Sequence, residues 1–313
     1  MPDLASRSRH TSMLIDYAAI THPGKVRKNN EDAYLVSALD GEEPLVNHLG
    51  RHPKICPKGL LAAVADGMGG AAAGEVASRE GLASVALYLF GHWGRFASEP
   101  GTEEELFRAL RGAAEEASRA VLRYSDDDRT ARGMGSTLTA VVLWERHAYF
   151  CQVGDSRAYL HRGSQLVQLT HDQTLVNQML QAGAITPEEA LRHPQRSMIT
   201  QALGCPQPVK AALGKVALRR GDRLLLCSDG LHGEVPDATL KAILDERRSL
   251  RWSLERMVEA ALDHGARDNV TVLGLALDDP VLPLPDPQRD AVVVIDPDEA
   301  APARGLGWFA RLG

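Results

Sequence analysis

The 313-residue chain has a formal net charge of −6, with 44% hydrophobic and 24% charged residues, the profile of a globular protein able to bury a core without covalent staples. No basic block is present, which argues against a nucleic-acid partner, and no apolar stretch approaches the ~18 residues of a bilayer span. Cys56, Cys151, Cys205 and Cys227 show no CxxC pairing, which excludes a disulfide framework; Cys151 and Cys227 sit in apolar runs and read as buried thiols.

In chain order, Met1–Thr11 is polar and lacks the apolar region of a secretion signal, so residues 1–11 are expected to be a flexible start to a cytoplasmic protein. Strand-like apolar runs follow at Leu14–Ile20 and Ala33–Ser37. Residues 40–58 read as a surface insertion. His48, His52 and Cys56 there have i, i+4, i+8 spacing, which on a helix would suggest zinc, but Pro53 interrupts the helix and no fourth ligand is evident. Leu60–Ala65 is the next strand. Gly74–Phe90 is Ala-rich with helical apolar spacing, and Thr102 with Glu105 makes a capping box for a helix running to about Tyr124.

Strands then cluster at Leu138–Trp144, Ala148–Val153 and Ala158–His161, with hairpin-length connections that make much of the sheet antiparallel. Helices return at Leu175–Ala182 and after Thr186-Pro187-Glu188-Glu189, a second capping box with Pro at N1. Strand Arg223–Ser228, helices Asp237–Arg247 and Ser253–His264, and strand Val270–Ala276 complete the set. The expected fold class is α+β, two packed sheets with helices outside. From Asp279 the chain is proline-rich. This tail reads as a linker with a short docking segment: either it is mostly disordered, or its apolar runs Ala291–Ile295 and Leu306–Leu312 bind the domain or a partner.

Acidic residues recur at the strand ends. Glu31-Asp32 precedes Ala33–Ser37, Asp66-Gly67 follows Leu60–Ala65, Asp229-Gly230 follows Arg223–Ser228, and Asp268-Asn269 precedes Val270–Ala276. Carboxylates fixed at such ends can converge. Their repulsion, ~4 kcal/mol for a 4 Å pair at moderate effective dielectric, is tolerable beside divalent cations, and hard oxygen ligands suit Mg2+ or Mn2+. An isolated Asp-Gly pair is also ordinary turn chemistry. Gly67 and Gly230 would permit tight turns and close approach of the backbone to an ion.

The ordered set Gly24-x-Val26-Arg27-x-Asn29-Asn30-Glu31-Asp32, Ala65-Asp66-Gly67-Met68-Gly69-Gly70, Gly133-Met134-Gly135-Ser136-Thr137-Leu138, Val153-Gly154-Asp155-Ser156-Arg157-Ala158-Tyr159, Ser228-Asp229-Gly230-Leu231 and Asp268-Asn269-Val270-Thr271 resembles the type 2C metal-dependent protein phosphatases, and within them the bacterial branch. The resemblance covers about residues 12–278 and implies a four-layer α-β-β-α sandwich of two mainly antiparallel sheets. It implies a serine/threonine phosphatase acting on phosphorylated proteins opposite a bacterial kinase, as a monomer, with two Mn2+ or Mg2+ ions and a third, weaker one. Residue by residue it makes Asp66 the bridge between both ions. Asp229 and Asp268 would be ligands of the first, and Glu31 and the Gly67 carbonyl would serve the second. Asp32 would orient water, Asp155 would bind the third ion, and Arg27 would clamp phosphate with its guanidinium fork.

His171–Gly204 resembles the family's flap, with Asp172 and Arg196 as candidate substrate contacts. The implied chemistry is in-line attack by a hydroxide bridging the two ions. Where many relatives carry a proton-donating His, this chain has Met68. The leaving-group proton would then come from metal-bound water, or from His171, His193 or His232, which the sequence does not rank. A binding module that had lost catalysis would be expected to lack one of these aspartates, and none is missing. A two-metal nuclease would need a basic track.

Overall fold

The computed structural model describes residues 13–39, 54–56, 59–69, 73–98, 103–286 and 292–295. The strands are β1 (Met13–His22), β2 (Asp32–Ala38), β3 (Lys54–Cys56), β4 (Leu60–Met68), β5 (Gly135–Ser136), β6 (Leu138–Trp144), β7 (His147–Val153), β8 (Arg157–Arg162), β9 (Gln165–Gln168), β10 (Ala212–Ala217), β11 (Asp222–Cys227), β12 (Val270–Leu277) and β13 (Val292–Ile295). The helices are α1 (Ala73–Ser98), α2 (Glu103–Asp127), α3 (Leu175–Gln181), α4 (Pro187–Arg192), α5 (Asp229–His232), α6 (Asp237–Asp245) and α7 (Leu250–Asp263).

Two antiparallel sheets form, one six-stranded in the order β3-β1-β12-β11-β8-β9 and one seven-stranded in the order β13-β10-β7-β6-β4-β2, with β5 paired to β4. The apolar runs explain the layering. In β4, Leu60, Ala62 and Val64 face the second sheet, where they join Ile15, Phe150, Leu224 and Leu273 in one core. The alternate residues Leu61, Ala63 and Ala65 pack under α1 and α2 with Leu89, Leu110 and Val121. A third core lies between β11–β12 and helices α6–α7, around Leu225, Leu244, Leu254 and Met257. Strands covered on both faces need apolar residues at every position, and the result is the expected four-layer sandwich.

Local signals account for several boundaries. Thr186 caps α4 through a complete capping box with Glu189, and Ser249 caps α7, which starts earlier than the apolar pattern indicated. α1 continues past Phe90 to Ser98. Strand β10 escaped the sequence reading because Gly214 weakens its pattern. The space above Gly214 belongs to Phe150 on β7, whose ring carbon would lie 2.1 Å from an added Cβ. Val292–Ile295, inside the apolar run of the tail, pairs antiparallel with β10. The Thr102 cap, His48, His52, Met1–Thr11 and Leu306–Leu312 lie outside the described residues. Among the described residues no helix is long and apolar enough to cross a membrane.

One buried ion pair ties β8 to β11. Arg162 bonds Asp222 through Nε at 2.8 Å and a terminal nitrogen at 2.7 Å, and Asp222 is fully buried. Removing one partner of such a pair strands a charge in the interior. Asp222→Ala should therefore cost about 3–5 kcal/mol in urea unfolding, with a loss below 1 kcal/mol contradicting this account.

Candidate active site

The acidic residues meet at the seam between the two sheets. Asp32 and Asp66 are direct cross-strand partners on β2 and β4, so the pleat sets both side chains on one face. Asp229 opens α5 immediately after β11. Asp268 stands just before β12, and Asp155 lies in the turn from β7 to β8. Arg27 and Glu31 come from the loop joining β1 to β2. Chain segments distant in sequence are thus gathered by strand register rather than by any local motif.

The backbone around Asp66 is tightly fixed. Its N–H donates to Thr137 Oγ1 at 2.9 Å, and its carbonyl accepts from the Thr137 N–H at 2.9 Å and from Ser136 Oγ at 3.0 Å. Thr137 in turn bonds Ser156 at 2.7 Å, beside Asp155. Gly67 donates to the Glu31 carbonyl at 3.1 Å. A Cβ on Gly67 would fall 1.9 Å from the Gly74 carbonyl oxygen, and one on Gly230 would fall 1.9 Å from that of Asn269. In this structure, then, both glycines admit close approach of neighbouring backbone.

Asn269 is the main organiser that sequence reasoning passed over. Its Oδ1 accepts from the Glu31 N–H at 2.8 Å, while its Nδ2 donates to the carbonyls of Pro23 at 3.0 Å and Asn29 at 2.8 Å. The Arg27–Glu31 loop is thereby sewn to β12. Ser228 crosses the seam in the same way, donating to Asp32 Oδ2 at 2.7 Å and accepting from the Thr271 N–H at 3.0 Å. Each sits beside an acidic residue, so the only sequence signal was adjacency.

Burial and mutual repulsion raise the proton affinity of the cluster. Burial, then the charges of Asp32, Asp229, Asp155 and Asp268, push Asp66 well above the usual aspartate range. Asp32 and Asp155 are each pushed up to about 7, chiefly by burial. Burial followed by Asp268 raises Asp229, and burial raises Glu31 despite the opposing Arg27 charge. Asp32 Oδ1 and Asp229 Oδ1 are buried without a hydrogen-bond partner, and such groups are costly unless something compensates them. An all-oxygen donor set with orphaned lone pairs fits hard divalent cations. Among the described residues no three acidic, His or Cys side chains already close on one point: Asp268 turns to Arg27, with 2.6 Å between guanidinium and carboxylate, and Asp32 turns to Ser228.

The flap candidates separate. Asp172 forms a bidentate pair with Arg157, at 2.8 Å from Nε to Oδ1 and 2.7 Å from a terminal nitrogen to Oδ2. Its side chain is only 17% exposed, so this pair ties the start of the segment 171–204 to β8. Arg196 is exposed in the turn after α4. Of the histidines, His232 is half-buried and pushed down to about 4, first by desolvation of its ring and then by the Arg157 charge, with Nε2 3.0 Å from the Asp155 carbonyl. It is neutral at pH 7 and serves as a structural bond.

Comparison with known proteins agrees with this geometry. Residues 54–271 match the family model described as Protein phosphatase 2C. The serine/threonine phosphatase stp of Listeria welshimeri is 34% identical over 253 residues, 81% of this chain and 92% of that protein. The serine/threonine protein phosphatase PstP of Mycobacterium tuberculosis is 38% identical over 262 residues, 84% of this chain and 45% of that protein. The crystal structure of the catalytic domain of PstP with two manganese ions superposes with a TM-score of 0.68 at 35% identity, covering 86% of this chain and all of that one.

The carboxylates give a prediction about stability. Asp32 and Asp155 hold protons to about pH 7 in the fold, against 3.8 for an ordinary aspartate. Within that window the folded state binds more protons than the unfolded chain, so their contribution is complete below about pH 4 and is lost as pH rises to about 7. Chelator-treated protein should therefore melt lower at pH 8 than at pH 5, and Mn2+ should restore the loss at pH 8. The drop should shrink in the Asp32→Asn/Asp155→Asn double variant. A drop of equal size in that variant would show that other groups cause it.

Proposed function

The chain belongs to the protein phosphatase 2C family, and we propose that it hydrolyses phosphoserine and phosphothreonine in phosphorylated proteins, opposing a serine/threonine kinase, with two Mn2+ or Mg2+ ions. The observation that carries this reading is the seam itself, where Asp32, Asp66, Asp229 and Asp268 interact as mutually repelling carboxylates and two of their oxygens are left without partners. The relatives named as serine/threonine phosphatases, one of them solved with manganese, support it.

On this reading Asp66 would be shared by both ions, Asp229 and Asp268 would hold one, and Glu31 and the Gly67 carbonyl would serve the other. Asp155, in its own buried turn, would contribute to a third. When bound, the ions supply a nucleophile by lowering the pKa of water and neutralise charge on the phosphoryl group.

The remaining work belongs to the chain. Ser136 and Thr137 grip the peptide units on both sides of Asp66, which fixes the direction of its carboxylate. Asp32, held on Oδ2 by Ser228, keeps Oδ1 to orient water. The Arg27 side chain is 53% exposed at the cleft and kept in place by Asp268, so its remaining guanidinium donors face an incoming phosphate. Met68 cannot donate a proton and His232 is neutral, which leaves water, His171 or His193 to supply the leaving-group proton. Arg196 on the flap is the residue assigned to contact the protein substrate. Cys151 and Cys227 are buried free thiols and Cys205 an exposed one, which supports a reducing, cytoplasmic setting. The protein acts there as a monomer.

Asp66→Asn should reduce Mn2+-dependent hydrolysis of a phosphothreonyl peptide by at least ~1,000-fold, since a shared ligand is lost. Arg27→Ala should raise KM by about tenfold, the value of one charge-assisted phosphate contact. Wild-type protein that leaves the peptide intact with both Mn2+ and Mg2+ supplied would refute the proposal.

A further inference from the structure

The turn at residues 24–28, which carries Arg27, is fastened along its backbone. Gly24 has a φ of +78°, and an added Cβ there would fall 2.2 Å from the Asp268 carbonyl oxygen and 2.6 Å from that of Ala266. The turn therefore lies directly on the chain that leads into β12. The Gly24 N–H donates to His22 Nδ1 at 3.0 Å, and the Lys25 N–H donates to the Ala266 carbonyl at 2.9 Å. Asn269 closes both ends through the carbonyls of Pro23 and Asn29. None of these bonds uses the side chains of Lys25, Val26 or Lys28.

Those side chains stand outward. Val26 is 67% exposed, so even the turn's apolar residue is left in water. Lys25 and Lys28 are exposed and form no ion pair or side-chain hydrogen bond with any described residue. Cations with a structural use in this fold are paired, as Arg108 is with Glu104 and Arg119 with Glu116 on α2. The carboxylate nearest the turn, Asp268, is taken up by Arg27. Lys25 stands two residues before Arg27 and Lys28 one after it. Consecutive Cα atoms are 3.8 Å apart, so both stems start within roughly 8 Å of the Arg27 Cα, and each carries its ammonium on a flexible four-carbon arm. The chain as a whole carries −6, which repels an acidic substrate at long range. Attraction for one must then be local.

We infer that Lys25 and Lys28 are specificity-determining residues that pair with an acidic side chain flanking the phosphorylated residue, so that the enzyme prefers phosphosites with Asp or Glu close by in sequence. This rests on the phosphatase reading above and names a substrate class for it. With a phosphate on Arg27, an extended peptide advances about 3.3 Å per residue, so a residue one or two positions from the phosphorylated one lies over the turn. The turn is already ordered by its backbone bonds, which spares the ordering cost of binding. No intramolecular carboxylate has to be displaced from either lysine. The contacts are the same before and during reaction at phosphorus, so they lower KM and leave kcat as it is.

Initial rates on the Mn2+-loaded full chain test this with three phosphothreonyl peptides that differ only in the flanking residues, glutamate, glutamine or lysine. Wild-type protein should turn over the glutamate peptide with a kcat/KM roughly tenfold above that of the glutamine peptide, carried by KM, and high salt should shrink the gap. Lys25→Gln/Lys28→Gln should bring the two peptides within about twofold of each other, keep the melting temperature and leave p-nitrophenyl phosphate hydrolysis unchanged. Lys25→Arg/Lys28→Arg should retain the preference, and Lys25→Glu/Lys28→Glu should transfer it to the lysine-flanked peptide. Equal kcat/KM for the glutamate and glutamine peptides in the wild type, or a preference that survives in the double glutamine variant, would overturn the inference. Protein that hydrolyses neither the peptides nor p-nitrophenyl phosphate would sink the phosphatase reading. Fluorescence anisotropy with the intact peptides then decides on the lysines separately: tighter binding of the glutamate peptide by the wild type than by Lys25→Gln/Lys28→Gln supports their role, and equal binding overturns it.

Discussion

Two carboxylates face each other across a pair of hydrogen-bonded strands, and the rest of the molecule is arranged around that placement. The register of β2 against β4 sets Asp32 opposite Asp66. Like charges directly opposite on a sheet face are unfavourable, and burial adds a desolvation cost. The pair persists because the backbone on either side has no freedom to relax. Ser136, Thr137 and Gly67 lock the Asp66 segment, while Ser228 holds the Asp32 carboxylate.

The same constraint explains why the site lies at the seam of the sandwich. One sheet contributes Asp32 and Asp66, and the other brings Asp229 and Asp268 to its strand ends. Neither sheet alone assembles the cluster. The bonds that cross the seam, from Ser228 to Asp32 and from the Glu31 N–H to Asn269, therefore do more than add stability. They hold two independently built sheets in one relative position, so sandwich packing and site geometry become a single property. Gly230, whose missing Cβ makes room for the Asn269 carbonyl, is needed for that close approach.

Much of the fold was legible because strands covered on both faces must be apolar throughout, as in Leu60–Ala65 and Leu224–Cys227. What escaped were elements whose reason is a distant partner. β10 carries Gly214 because Phe150 fills the space above it, and nothing near Gly214 announces that ring. The pairing of Asp172 with Arg157 on β8 was hidden in the same way. Asn269 and Ser228 looked like neighbours of important residues, although their own bonds organise the loop and the seam.

The sequence alone determined the alternation of strands and helices, the acidic residues at strand ends and their ordered resemblance to one family, since these depend on local periodicity and residue type. Only the tertiary structure decided which carboxylates face each other, where Arg27 and Asp172 find their partners and that Val292–Ile295 pairs with β10. Those outcomes follow from strand register and sheet packing, and both are settled by contacts between residues far apart in the chain.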